Sequence, residues 1–320
     1  MMDRGIHRLG SQDRYPGRPS MVVVGCGGAG CNILARAVER GWTLGRHVAM
    51  NTDAQHLLTT CADSKVLLGR RTTRGMGANN DLATGERACR ESEAHLEGVV
   101  RETDIVVILA GQGGGTGSGA APVLAETARR RGSMAISLST LPFSVEGSVR
   151  RDNANVGAAN LARSSDISVV LPNDHLLDSS PSLSLLEAFK SSDEALLEPV
   201  RLLRSMLTLD DIPRLRTAMG GAGTVHLGRG GSSARVGYGK AMDDALSSLY
   251  PSAVLGECGR ALVLFHAGPD EPSDEHLLEM VRTLHLGMGE RARTMWGVHR
   301  ERAMEGNLRA VVMVAPAPKR

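Results

Sequence analysis

Ile105-Val106-Val107-Ile108-Leu109-Ala110 runs straight into Gly111-Gln112-Gly113-Gly114-Gly115-Thr116-Gly117-Ser118-Gly119. An unbroken aliphatic run is the pattern of a strand buried on both faces, as inside a parallel sheet. The glycines after it permit a tight turn and let backbone N–H groups approach an anion. Thr116 and Ser118 add hydroxyl donors. Helical spacing follows over residues 121–130, so the loop lies between a strand and a helix whose N-terminus favours negative charge. Strand and helix flank it too closely for a flexible linker. It contains no Lys, which excludes the G-K-[ST] ending of a Walker A loop.

Toward the N-terminus a second glycine loop, Gly25-Cys26-Gly27-Gly28-Ala29-Gly30, follows an apolar strand at 21–24. It precedes a helix at 31–40, with Ile33, Leu34, Ala37 and Val38 on one side. Alone, this loop is a G-x-G-x-x-G match, and Asp53 lies where a ribose-binding acid would complete a dinucleotide site. A dinucleotide has no need of another anion cradle at the end of a later strand, whereas a triphosphate clasped from two sides does. Strands at 46–50, 134–138 and 167–171 alternate with helices at 54–58 and 149–163, which implies βαβ units and a parallel sheet. The glycine turns follow strands, so they gather at the sheet's carboxyl edge, where ligands bind in open α/β folds.

A long helical pattern spans 183–204, with Leu186, Phe189, Leu196, Leu197, Val200 and Leu203 in register. Beyond it, 220–239 reads as strand–turn–strand, 240–249 and 273–284 as helices, and 261–266 and 308–314 as strands. The fold class is therefore α/β: a parallel-sheet nucleotide-binding domain, a long central helix and a smaller α+β C-terminal domain. The expected divisions are a flexible arm at 1–20, a nucleotide-binding domain at 21–182, a connecting helix at 183–208, a C-terminal domain at 209–316 and a short tail at 317–320.

Charge and composition narrow the partners. Lys and Arg number 37 against 35 Asp and Glu, too even for a nucleic-acid or membrane footprint. Aromatics make up 2% of residues, too few for a reader that stacks single-stranded bases. Cys26, Cys31, Cys61, Cys89 and Cys258 are scattered without a C-x-x-C pair, which argues against zinc or a disulfide framework and for a reducing compartment. No apolar run is long enough to span a bilayer and the N-terminus lacks a signal-type segment, so a cytoplasmic location is expected. Contact with a membrane is expected only indirectly or through the N-terminal arm.

Further motifs keep one register: Asn51-Thr52-Asp53-Ala54, Gly75-Met76-Gly77-Ala78, Pro142-Phe143-Ser144-Val145-Glu146-Gly147 with Arg150, Leu171-Pro172-Asn173-Asp174 and Leu185-Leu186-Glu187-Ala188-Phe189. With the two glycine loops they resemble the FtsZ/tubulin family, and FtsZ within it, over about residues 20–316. The resemblance implies that the chain binds GTP or GDP with Mg²⁺. Gly27, Gly28, Ala29, Gly30, Cys31, Asn32, Ala78, Asn79, Gly113, Gly114, Gly115, Thr116, Gly117, Ser118, Pro142, Asn173 and Phe189 would contact the nucleotide. Asn32 would also reach the base, Glu146 the ribose hydroxyls, and Arg150 would lie against the nucleotide. Asp193 would accept hydrogen bonds from guanine N1 and N2, which selects GTP over ATP. Asp53 with neighbouring waters would hold the Mg²⁺.

The resemblance also implies a catalytic loop, N-x-D-x-x-D, that one subunit offers in trans to the next. Aligned on Arg216-Thr217-Ala218-Met219, Leu209 replaces the Asn, Asp211 is the middle acid and Arg214 replaces the last Asp; a shifted alignment brings in Asp210. Losing one positioned acid removes roughly 10²–10⁴ in rate, so GTPase activity is expected to be weak or lost while binding persists. Asn79-Asn80 stands where the family has small residues, and Asn tolerates positive φ. The chain also shows no long linker and terminal peptide of the kind by which FtsZ proteins recruit membrane adaptors.

The expected function is that of an FtsZ-like cytoskeletal protein that assembles head to tail into filaments, in cell division or in membrane and shape remodelling. The alternatives are an active polymerisation-dependent GTPase using Asp210 or Asp211, and a non-polymerising GTP-binding scaffold that partners another FtsZ.

Overall fold

The computed structural model describes residues 5–10, 17–174, 185–289 and 291–317. In chain order the strands are β1 (Ile6–Arg8), β2 (Met21–Cys26), β3 (Arg46–Asn51), β4 (Ser64–Leu67), β5 (Ile105–Gly111), β6 (Met134–Leu141), β7 (Ile167–Pro172), β8 (Thr224–Ser233), β9 (Cys258–Ala267), β10 (Arg293–Arg300) and β11 (Asn307–Pro316). The helices are α1 (Gly27–Glu39), α2 (Ala54–Thr59), α3 (Leu82–Glu91), α4 (Glu93–Val100), α5 (Gly115–Arg130), α6 (Ser148–Ser164), α7 (Leu185–Met206), α8 (Asp211–Met219), α9 (Gly239–Ser247) and α10 (Asp274–Met288).

Residues 19–197 form one compact unit. Its strands run β7-β6-β5-β2-β3-β4, with every neighbouring pair parallel. All of β2 and the aliphatic run of β5 are buried, as continuous apolar sequence requires of a strand covered on both faces. Val22, Val24, Val106 and Ile108 pack in one core with Leu124 and Ala128 of α5 and with Leu96 and Val100 of α4. α5 starts at Gly115, six residues before the helical periodicity becomes readable at 121. Its first turns are buried against other backbone, so apolar spacing cannot reveal them.

The second unit comprises residues 198–320 together with 1–18. Its sheet runs β1-β10-β9-β11-β8, parallel across β1, β10 and β9, and antiparallel where β11 meets β9 and β8. Ala241 and Ala245 of α9 and Leu277 and Val281 of α10 share its core with Val263, Phe265, Trp296 and Val312.

Two expectations are corrected here. Part of the N-terminal arm is a strand: Ile6–Arg8 pair in parallel with Thr294, Met295 and Trp296, and Arg8 lies over the Trp296 ring at 5.0 Å. An edge strand offers unpaired backbone groups that a short segment can satisfy, and three residues are too few to show periodicity. Residues 1–4 and 11–16 of the arm, 175–184 with the start of the expected long helix, and 318–320 of the tail lie outside the described residues. The segment 220–239 is one strand, β8, followed by a turn into α9 rather than a strand–turn–strand. Its glycines serve close approach to α9: a Cβ on Gly228 would lie 1.9 Å from the Ala245 carbonyl oxygen, and one on Gly230 2.0 Å from that of Ala241. The division between the compact units falls within α7, between Leu197 and Glu198. Among the described residues no helix is long and apolar enough to cross a membrane.

Candidate functional site

At the carboxyl ends of β2, β3, β5 and β6 lies a cavity of about 480 Å³, within the range of small-molecule sites. Thirteen of the residues singled out from sequence line it: Gly28, Ala29, Asp53, Ala78, Asn79, Gly114, Gly115, Thr116, Gly117, Pro142, Glu146, Arg150 and Asn173. Asn51, Met76, Gly77, Asn80, Gly111 and Gln112, which fall within the quoted segments without an assigned contact, also line it, as do His56 and Thr140. Membership of a quoted segment was the signal that could have assigned the first six; His56 and Thr140 carried none.

The phosphate-type loop is held by its own hydroxyls. Gly113, with φ +101°, donates its N–H to Ser118 Oγ at 2.8 Å, so Ser118 shapes the loop from a buried position outside the cavity wall. Thr116 Oγ1 lies 2.6 Å from Thr52 Oγ1, tying this loop to the turn after β3. A Cβ added at Gly114 would meet no protein atom within 4 Å, and one at Gly28 would meet only His56 Nε2 at 4.0 Å. Packing within the chain therefore does not demand glycine at either position; both leave bare backbone facing the cavity. Gln112 is 5% exposed, and its Nε2 and Oε1, both sealed from the cavity, have no hydrogen-bond partner. Buried amides are normally satisfied.

The segment Gly75–Asn80 keeps its turn. Asn79 and Asn80 adopt φ of +47° and +58°, the left-handed region that Asn tolerates, and Asn153 Nδ2 donates to the Asn80 carbonyl at 2.7 Å. Asp53 caps α2, its Oδ1 accepting from His56 N at 3.0 Å. His56 bridges Asn51 and Asn32, with Nδ1 3.3 Å from Asn51 Nδ2 and Nε2 3.1 Å from Asn32 Oδ1. An amide donor at Nδ1 fits the tautomer protonated on Nε2. Glu146 accepts from Phe143 N at 2.8 Å and pairs with Arg150 one helical turn on.

Other sequence-derived candidates lie off the wall. Gly27, at φ +72°, turns the chain into α1 against Gly117. Gly30 packs α1 onto β5, where a Cβ would sit 2.1 Å from the Leu109 carbonyl oxygen. Cys31, expected among the nucleotide contacts, turns its thiol inward and donates to the Gly25 and Met50 carbonyls at 3.3 and 3.6 Å. Burial pushes that thiol up to about 12, which makes it a packing group. Phe189 meets Phe143 edge to face at 5.7 Å. Asp193 is buried and held by Arg36, whose Nε and Nη2 both donate to it, the latter at 3.0 Å. Burial pushes the Asp193 carboxyl up from its ordinary value, and the guanidinium opposes that.

The candidate catalytic acids belong to the second unit. Asp211, expected as the acid offered in trans, is 1% exposed. Its Oδ2 accepts from Gly10 N at 3.0 Å, Thr208 N at 2.9 Å and Thr208 Oγ1 at 2.8 Å. So placed, it pins the start of α8. Asp210 and Arg214 are both partly exposed, and the Asp210 side chain makes no cap hydrogen bond to α8.

Residues 20–181 match the model of the Tubulin/FtsZ family, GTPase domain. Cell division protein FtsZ 1 of Pyrococcus woesei is 37% identical over 303 residues, covering 93% of this chain and 82% of the relative. Among solved structures, an empty FtsZ dimer from M. jannaschii superposes with a TM-score of 0.84 at 34% identity, covering 94% of this chain and 89% of that one. CetZ2 from Haloferax volcanii, a GTPgS-bound protofilament, shares the fold at a TM-score of 0.75 and 22% identity, covering 94% of each chain.

Proposed function

Because the chain belongs to the Tubulin/FtsZ family, we propose that it binds GTP or GDP in this cavity and assembles head to tail, with slow or absent GTP hydrolysis. The observation that carries the reading is the bare glycine cradle. Gly114 and Gly28 turn backbone with no side chain toward the space in which a phosphate chain would lie. The helix N-termini of α1 and α5 add favourable dipole at the same place.

Asp53 suits an Mg²⁺ held through waters. One of its oxygens is fixed by the α2 cap, and among the described residues the other takes no hydrogen bond. The ion would neutralise phosphate charge. Asp193 remains the reader of guanine in this proposal, since each carboxylate oxygen has a second lone pair beyond those engaged by Arg36.

Assembly is supported by the rim of the cavity. Met76, Val145 and Val149 are 78, 91 and 69% exposed, an apolar fringe that a second copy would cover. A contact of this heterologous kind builds open filaments when its rotation does not close. Weak hydrolysis is supported by the inward carboxylate of Asp211 and by Arg214 in place of an acid. Such a filament would serve cell division or shape remodelling in the cytoplasm.

A second reading, an active polymerisation-dependent GTPase, is favoured by Asp210, whose partly exposed carboxylate makes no cap bond. Sedimentation with GTP, with GDP and without nucleotide, run beside phosphate release, tests both. Nucleotide-dependent pelleting without phosphate release supports the proposal, and Arg214→Asp should then raise turnover. Pelleting with release that Asp210→Ala abolishes supports the second reading. No pelleting under any condition sinks both and favours a scaffold that partners another FtsZ.

A further inference from the structure

We propose that His266, His299 and Glu301 form a binding site for a divalent transition-metal ion of the Zn²⁺ class, at the carboxyl ends of β9 and β10. His299 and His266 are register partners across this parallel pair, so their side chains leave the same face of the sheet side by side. The two rings have centroids 5.3 Å apart and planes inclined by 31°. The backbone stays extended through Glu301, at φ −144° and ψ 139°, so its side chain returns to the face of His299 two residues earlier. The Glu301 N–H donates to the Ala267 carbonyl at 2.9 Å, which fixes its backbone beside the end of β9. Glu301 Oε2 then lies 3.0 Å from His266 Nε2. One ligand atom from each of the three residues lies within 4.8 Å of the other two.

Two imidazoles and a carboxylate are a donor set that Zn²⁺ accepts, with water in a fourth position. Around a tetrahedral ion with bonds of about 2.0–2.1 Å, donor atoms stand roughly 3.4 Å apart. The three side chains would close the remaining distance on the ion by rotating about their own bonds. The His266 side chain is 12% exposed and that of Glu301 50%, so the open position faces solvent on the Glu301 side. The surrounding charges favour an ion that bonds imidazole over one that relies on charge alone. Arg309, the register partner of His266 on β11, lies 3.7 Å from Glu198 and is engaged there. Arg18 and Arg201 place positive potential at His299, which Glu301 offsets. Mg²⁺ and Ca²⁺, which demand oxygen ligands, are thereby disfavoured. None of the three residues lines the nucleotide cavity, so the site stands apart from the reading proposed above.

The test uses the full chain carrying Cys61→Ser, which removes the exposed thiol. Chelator-treated protein is titrated with Co²⁺, followed by its visible absorption, and then with Zn²⁺ in competition. The expected result is one ion per chain, with a spectrum of tetrahedral type that Zn²⁺ bleaches. Glu301→Gln, at an exposed position, should weaken binding by more than about tenfold, since even outer-shell partners carry that much. His266→Ala with His299→Ala should abolish it, and Zn²⁺ should raise the melting temperature of the parent but not of this variant. The proposal is overturned if the parent takes up no ion, or if Glu301→Gln and the double variant bind as tightly as the parent.

Discussion

Asp211→Ala removes a single carboxylate oxygen on which three hydrogen bonds converge, from Gly10 N, Thr208 N and Thr208 Oγ1 at 2.8–3.0 Å. The site is 1% exposed, so the donors it leaves behind have little water to turn to. A bond to a charged acceptor contributes about 1.5–3 kcal/mol. Sharing one oxygen holds the total below the plain sum, at about 3–5 kcal/mol. At about 2–4 °C per kcal/mol for a chain of this order of size, the melting temperature should fall by about 10 °C. Asp211→Asn keeps an oxygen in place without its charge, and neutral bonds are about half as strong, so its loss should be about half as large. Urea unfolding followed by tryptophan fluorescence is the assay. Trp296, buried in the same unit, reports the transition. Phosphate release is measured in parallel on the folded fraction. The reasoning is refuted if Asp211→Ala unfolds at the wild-type midpoint while turnover drops tenfold or more. That outcome would return Asp211 to the chemistry and take it out of the scaffold.

Gly114→Ala should leave thermal stability unchanged, because φ −88° and ψ 162° suit any residue and the new Cβ meets no protein atom; nucleotide affinity, read by equilibrium dialysis, should fall more than about tenfold. Gly30→Ala should do the reverse, collapsing the fold through its 2.1 Å approach to Leu109, and equal behaviour of the two variants would refute the distinction. Arg36→Ala strands the buried Asp193 carboxylate and should destabilise the unit by about 3–5 kcal/mol, alongside loss of discrimination between GTP and ATP; an unchanged urea midpoint would be inconsistent with the pair. His47 has its pKa lowered by burial, against the opposing effect of Asp63, so its folded value lies below the unfolded one. Its contribution is therefore complete above about pH 6.5 and lost as pH falls through the folded value. Stability should fall less steeply from pH 7 to 5 in His47→Gln than in wild type, and parallel curves would exclude His47 as the source.

Much of the nucleotide unit was legible because its signals are local. Continuous apolar strands such as 105–110 and glycine turns at their ends need no knowledge of distant residues, and thirteen of the residues that the family resemblance implied line the cavity. The sequence was ambiguous where the same residue type can answer to two different neighbours. Gly228 and Gly230 look like turn residues in sequence, yet they clear space for α9. Cys31 sits inside a binding motif, and its thiol still points into the core. Asp211 occupies a catalytic register while its carboxylate is consumed by Thr208 and Gly10.

What the sequence by itself determined was the α/β class, the order of strands and loops, and the glycine cradle, since periodicity and backbone freedom are properties of the chain. Which way a side chain faces was decided only by tertiary structure. The pairing of Asp193 with Arg36 spans 157 residues, and the register of His266 against His299 depends on how two strands align. Neither leaves a local trace, because a contact between distant segments is set by packing and not by spacing along the chain.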